Sequence, residues 1–416
     1  MGAVAKEMTI DMSAYRADFP ILSQQVNGKP IAFLDSASSA QKPQAVIDII
    51  SGLYQSNYAN IHRGLYSFSQ TTTEAYEAVR EKVSVFINAK SQNEIVFTRN
   101  TTEAINLVAE SWGREFLRAG DEIILTTMEH HANIVPWQLL AKKIGVVIKT
   151  IPVLDNGTLD FDAFEGLLSD KTKLLSMSYI SNALGTVNDV LHFTKTAKAY
   201  NANIKVLIDG TQAVVHKAVD VQSINCDFFV FTGHKLYGPN GIGILWAREE
   251  LLNAMPPYQG GGDMIETVSF NTETTFKDGP ARFEAGTPAI AEVIALGAAI
   301  DYMGAIGMDN IATYEAGLFS YMQEKLNAID GLNFYGTGDN KVGIISFTAD
   351  WAHTSDIAMI LDQCGVAVRT GHHCCMPLME RFGVDGTVRA SLGLYSNETD
   401  IDALANGLMK AKDMLS

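Results

Sequence analysis

Between residues 94 and 247 short apolar runs alternate with helical patterns, and this alternation limits the fold more than any other feature of the chain. EIVFT (94–98), EIILTT (122–127), VVIKTI (146–151), LLSMSY (174–179), KVLID (205–209), FFVFT (228–232) and GIGILWA (241–247) are strand-like. Consecutive apolar side chains leave no face for water, so such strands belong inside a mostly parallel sheet covered on both sides. Helical patterns fill the gaps at 101–120, stopped by Gly120, and at 134–145 and 191–200. The last two runs are nearer each other, so an antiparallel pair is expected there. Two helices come first, at 43–57 with Pro43 suited to its first turn, and at 71–89. From about 290 the texture changes to long helical patterns at 288–305 and 308–328, strands near 342–347 and 387–391, and a helix near 398–414. The division this suggests is a large α/β domain over 20–290 and a small α+β domain over 291–416 joined by 1–19. No internal repeat or low-complexity segment interrupts it.

Charge narrows the partners. Lys and Arg number 31 against 47 Asp and Glu, a net charge of -16, which argues against non-specific nucleic-acid binding and against an anionic membrane surface. The most apolar stretch, 287–308, is broken by Glu292 and Asp301 short of a membrane span. The opening MGAVAKEMTIDM lacks a secretory apolar core, and Lys6 stands where a myristoylation motif needs Ser or Thr. Cys226, Cys364, Cys374 and Cys375 are too few for a disulfide scaffold, so reduced thiols in the cytoplasm are expected.

KVLIDGTQAV (205–214) puts Asp209 at the C-terminal end of a buried-type strand, where ligands of open α/β sheets sit. Such an acid caps the next turn or faces a cationic ring nitrogen. About one strand later, FFVFTGHKLYGPNGIGIL (228–245) carries Lys235 between a strand and a Gly-rich turn. A lysine there is either a surface loop residue or a Schiff-base amine. The two segments support each other, because pyridoxal phosphate needs a lysine for its aldehyde and an acid for its ring nitrogen. Its phosphate needs donors. Thr232 and His234 flank the lysine, and Thr101 and Thr102 open a helix directly after a strand.

The late run RTGHHCCMPLM (369–379) admits three readings. Zinc is disfavoured for this run alone, because the contiguous His372, His373, Cys374 and Cys375 cannot all converge on one ion, and no metal site is assigned. The adjacent His130 and His131 point apart at a strand end and give none either. A buried structural cysteine is the second reading. The third is a nucleophilic thiolate favoured by Arg369, His372 and His373, on a loop freed by Gly371.

Taken together these motifs resemble the class V aminotransferase group of fold-type-I pyridoxal-phosphate enzymes, from LDSASSAQKP (34–43) to RASLGLY (389–395). The late loop resembles the R-x-G-H-H-C pattern of type II, SufS-like cysteine desulfurases. The resemblance implies a large domain with a mostly parallel, seven-stranded sheet and a smaller α+β domain. It implies pyridoxal 5'-phosphate bound through Lys235, with Asp209 on the ring nitrogen, Gln212 on the ring hydroxyl, and Thr101, Thr102, Thr232 and His234 around the phosphate. His130 of MEHHANIVPW would stack on the ring and shuttle protons, with His131 its rival. Arg389 would clamp the carboxylate of L-cysteine, with Asn182, His62 and Arg369 also toward the substrate. Cys374 would accept the sulfur as a persulfide and alanine would leave; Cys375 replaces the usual Ala beside it. NIHRGLYSFS (60–69) and FEAGTP (283–288), the latter placing Thr287 on a phosphate in the partner subunit's site, imply a homodimer. A SufE-like or SufU-like acceptor and iron–sulfur cluster assembly are implied beyond that. Selenocysteine presents the same β-chalcogen, so selenocysteine lyase is the alternative within the fold.

Overall fold

The seven apolar runs pair into a single sheet. The computed structural model describes residues 12–416, so the expectations placed on residues 1–11 lie outside the described residues. After the two-residue strand β1 (Ala32–Phe33) come β2 (Ile95–Thr98), β3 (Glu122–Thr126), β4 (Val147–Ile151), β5 (Thr172–Ser178), β6 (Lys205–Asp209), β7 (Phe228–Thr232) and β8 (Gly243–Ala247). Their order across the large sheet is β2-β8-β7-β6-β5-β3-β4. Strands β3 to β7 run parallel, and β8 is antiparallel to both neighbours, β7 and β2. The expected antiparallel pair is therefore β7–β8, and the close spacing of the two runs explains it.

Alternate side chains of these strands feed two separate cores, the reason the runs are continuously apolar. Phe97, Ile124, Met177, Ile208 and Phe231 point to one face. Val96, Ile123, Leu174, Leu207 and Val230 point to the other. The helices that cover them include α1 (Gln44–Gly52), α2 (Ser67–Phe86), α3 (Thr101–Val108), α4 (Val135–Ile144) and α5 (Val190–Tyr200). Two expected helices are shorter than their patterns. Residues 53–57 and 109–113 open into wider π turns, and the chain leaves the helix after Phe116, before Gly120. Helix α4 ends as expected, with Gly145 in the left-handed conformation that glycine adopts without strain.

Helix α6 (Ile290–Ile306) packs on α1 and α2, and its Ile290, Val293 and Leu296 belong to the core of the large sheet. The sequence-based boundary at 290/291 falls in the first turn of this helix, whereas the second core begins beyond it. Helix α7 (Met308–Asn327) starts after Gly307 at 74° to α6. Among the described residues, no single helix is long and apolar enough to cross a membrane. The second unit adds strands β9 (Leu332–Tyr335), β10 (Ile344–Ala349), β11 (Val366–Ala367), β12 (Arg369–Gly371) and β13 (Thr387–Ser391). Its antiparallel sheet has the order β9-β10-β13-β12, with α8 (Thr354–Gln363) packed on it and α9 (Glu398–Leu415) packed on α7, α8 and the β1–β11 pair. Strand β1 pairs in parallel with β11, so the chain's early residues Ala32 and Leu34 join this second core.

Candidate active site

Strands β6 and β7 end side by side, and their C-terminal ends bring Asp209 and Thr232 to one cavity of about 160 Å³. Lys235 enters it from the turn after β7, and Arg369 and Arg389 enter from β12 and β13 of the second sheet. Ala37 and Ser38 close the cavity from the segment after β1. It therefore lies between the two cores and is built from both ends of the chain.

Asp209 is buried, and its carboxylate accepts a bond of 3.0 Å from the Thr211 amide. Burial raises its pKa, the state that a cationic partner would relieve. Burial also pushes the Lys235 ammonium down to about 8, helped by the charge of Arg389 and opposed by Asp209. More of the amine is then neutral near physiological pH than in a free lysine, as a nucleophile or base requires. Gln212 is buried beside them with its amide donating to the Ala37 carbonyl at 2.9 Å.

The opposite wall is the N-terminus of α3. Asn100 caps it, its side chain accepting from the Glu103 amide at 2.9 Å, which leaves earlier amides and Thr102 facing the cavity. The Thr101 hydroxyl is shared with Thr211 at 2.8 Å, so Thr102 is the freer of the pair. A Cβ at Gly243 would stand 2.5 Å from the Asn100 Cα, so glycine is what lets β8 lie against this helix start. Thr232 and His234 line the same cavity. Hydroxyls, an imidazole and a helix N-terminus are the donor set of a phosphate seat. With Lys235 and Asp209 across the cavity, the residues present fit pyridoxal phosphate.

His130 also lines the cavity. Its Nδ1 accepts from the Ala132 amide at 3.1 Å, so a neutral ring carries its proton on Nε2. Burial, with the Lys235 charge behind it, drops its pKa to about 3. The neighbouring Glu129 is fully buried, accepting from Thr126 Oγ1 at 2.6 Å, Asn133 Nδ2 at 2.7 Å and the Ser178 amide at 2.9 Å. Burial raises its pKa to about 7. Sequence reasoning passed over this residue, although it stands inside the quoted MEHH motif.

Arg389 is only 1% exposed. Its Nη2 donates to Asp35 Oδ1 at 2.8 Å and to Ser38 Oγ at 2.7 Å, and its Nη1 to the Asn182 carbonyl at 2.9 Å. Arg369 Nη1 donates to the same Ser38 hydroxyl at 2.8 Å, and that hydroxyl donates to Asp35 at 2.7 Å. One serine and one carboxylate thus hold two guanidiniums at the cavity wall. Neither Asp35 nor Ser38 was singled out from sequence, because their partners lie more than 300 positions away.

The cysteine loop is tightly bonded. His373 and Cys374 both take positive φ, 51° and 59°, an unusual pair for residues other than glycine. The Cys374 carbonyl accepts from the His131 amide at 2.8 Å, and the His373 ring bonds Thr387 Oγ1 at 2.8 Å. Asn182 lines the cavity, but both ends of its amide serve this loop. Its Nδ2 donates to the His373 carbonyl at 2.8 Å, and its Oδ1 accepts from Cys375 Sγ at 3.2 Å. Cys374 is half-buried with Arg369 Nη2 3.9 Å from its sulfur. Cys375 is fully buried, and burial pushes its thiol up to about 12. The two thiols are therefore unequal, and only Cys374 is reachable beside a cation.

Two predicted site residues stand apart from this cavity. His62 is exposed, with φ 72°, and its ring bonds Glu77 at 2.9 Å. Thr287 lines separate cavities beside β2 with Arg99 and Gly241.

The aminotransferase class-V family model matches residues 32–404. A cysteine desulfurase of Cronobacter sakazakii is 50% identical over 98% of this chain and 100% of its own length. One from Escherichia coli O7:K1 is 49% identical with the same coverage. Among solved structures, the E. coli cysteine desulfurase CsdA, crystallised as the S-sulfonic acid, aligns with a TM-score of 0.91 at 36% identity. That alignment covers 98% of this chain and 100% of CsdA. The apo cysteine desulfurase of Thermococcus onnurineus NA1 aligns at 0.90 and 34% identity, covering 100% and 99%. By its fold, its site and these relatives, the chain belongs to the class-V aminotransferase family, among the cysteine desulfurases.

Proposed function

We propose that this chain is a pyridoxal-phosphate-dependent cysteine desulfurase that moves the sulfur of L-cysteine to Cys374 and releases L-alanine. The observation that carries this reading is one cavity lined by Lys235, Asp209 and Arg389 with the accessible thiol of Cys374 at its side. Bound there, the cofactor supplies an aldehyde for the substrate amine and a ring that draws electrons from Cα. Lys235 would hold it covalently, Asp209 would face its ring nitrogen, and Thr102, Thr232 and His234 would hold its phosphate.

The protein's own groups divide the remaining work. Arg389, fixed by Asp35 and Ser38, holds its charge at the cavity wall for the substrate carboxylate, with its Nε–H left unpartnered. The Lys235 amine takes the Cα proton, which its lowered pKa allows near neutral pH. His130 stays neutral and offers its Nε2–H as a hydrogen-bond donor. The Cys374 thiolate, with Arg369 beside it, attacks the substrate sulfur. The carbon–sulfur bond breaks, a sulfur–sulfur bond forms, and the Cys374 proton ends on alanine. Cysteine plus thiol thus gives alanine plus persulfide, with no other reactant. The curated relatives favour this over the selenocysteine lyase reading.

We further infer a homodimer, supported by the exposed apolar side chains Leu65, Tyr66, Phe68, Val268 and Phe270. His62 and Thr287, outside this chain's own cavity, belong to that reading. A small acceptor protein of the SufE or SufU kind, a role in iron–sulfur cluster assembly and a reducing cytoplasmic setting complete it. Four unpaired thiols are compatible with the last.

The test is mass spectrometry of cysteine-treated protein. The added sulfur is expected on the Cys374 peptide, and Cys374→Ala should keep the yellow, borohydride-reducible colour while losing it. Full cysteine-dependent alanine and sulfide release by Cys374→Ala would overturn the assignment of the acceptor. Retention of the borohydride adduct by Lys235→Ala would overturn the cofactor site.

A further inference from the structure

His131, His372 and Cys374 meet beside the cavity without lining it. One donor atom from each lies within 4.8 Å of the other two. The trio comes from two distant segments, and this is why neither histidine pair announced it. His131 follows β3, while His372 and Cys374 follow β12. The segments are locked together, because the His131 amide donates to the Cys374 carbonyl at 2.8 Å and the Met376 amide donates to His131 Nε2 at 3.1 Å. The Cys374 amide donates to His372 Nδ1 at 3.1 Å, and the two rings face each other 5.4 Å apart at 35°. Each ring therefore keeps one unprotonated nitrogen, the form a metal binds, with a backbone amide now on it.

We propose that His131, His372 and Cys374 form a binding site for a soft divalent cation of the zinc type. Two imidazoles and a thiolate are the donors such an ion selects, and three protein ligands leave the fourth position open to water. Tetrahedral zinc bonds of about 2.0–2.3 Å put donors roughly 3.5 Å apart, so the trio closes by about 1 Å, within reach of side-chain rotation. Binding forms a metal–sulfur bond, breaks the Cys374 S–H bond and sends that proton to solvent; no electron is transferred. The ion takes the ring lone pairs that the two amides now hold, so binding releases both of those bonds. All three donors are half-buried rather than enclosed, so the ion exchanges with solvent. On the reading of Cys374 as sulfur acceptor, an ion held there silences it reversibly.

The test uses the reduced, chelator-washed holoenzyme and cobalt(II) as the probe. Tetrahedral d–d bands and a sulfur-to-cobalt band should saturate at one ion per chain and disappear on adding zinc. Cys374→Ser should lose the sulfur band, and His131→Ala and His372→Ala should each weaken binding at least about tenfold. In the unmutated protein, zinc should protect Cys374 from iodoacetamide in peptide maps, a readout that needs no variant to fold. No saturable tetrahedral spectrum, a sulfur band surviving in Cys374→Ser, or unprotected Cys374 under saturating zinc would overturn the site. The holoenzyme's yellow colour reports the cofactor site separately, so the two readings fail independently.

Discussion

At the scale of single residues, the two adjacent cysteines make opposite predictions. Cys375→Ala removes a buried thiol that donates to Asn182, and should lower stability by about 1 kcal/mol in denaturant unfolding while persulfide still forms on Cys374. Lys235 gives a pH prediction. Its amine captures an aldehyde only when neutral, so the rate at which apoprotein turns yellow with added pyridoxal phosphate should rise with pH through about 8. Arg389→Met removes a cation that lowers this pKa, so the midpoint should move upward; a downward or absent shift would contradict the electrostatics. Lys235, Asp209, Arg389 and Cys374 were legible in sequence because each sits in a short motif whose chemistry is local. Asp35, Ser38 and the loop-holding role of Asn182 were not, because their meaning lies in partners supplied by the other end of the chain.

At the scale of elements, the turn after β6 sets where Asp209 points. A Cβ at Gly210 would fall 1.9 Å from the Phe229 ring, so Gly210→Ala should destabilise the fold by about 1–3 kcal/mol and weaken cofactor retention in dialysis. Helix α9 begins with a capping box in which Asn397 and Asp400 exchange bonds, and Asp400 also pairs with Arg16 at 2.7 Å. Asn397→Ala should cost about 1 kcal/mol of stability, read as a lower melting temperature with the site intact. The buried strands of the large sheet were readable because both faces are apolar. Strand β9, LNFY, was not, since its side chains are only partly buried and carry no clear period. The π turns at 53–57 and 109–113 escaped for another reason. They continue the helical pattern and differ only in hydrogen-bond register.

At the scale of the whole molecule, exposed apolar side chains make the oligomer testable. Leu65 is 93% exposed, and a Leu65→Asp, Phe270→Asp variant should elute as a monomer and lose cysteine-dependent alanine production. A variant that stays dimeric and active would place the interface elsewhere. The change of texture near 290 marked the second unit from sequence. The place of α6 did not follow from it, because a helix's neighbours are a tertiary property. The pairing of β1 with β11 has one more consequence, which concerns how the chain is made. During translation β1 leaves the ribosome early and waits for a partner roughly 330 residues behind, about 20–70 seconds at ordinary elongation rates. Throughout that interval the nascent chain carries an orphaned strand and half an arginine clamp, so the catalytic centre is among the last parts of the protein to come into being.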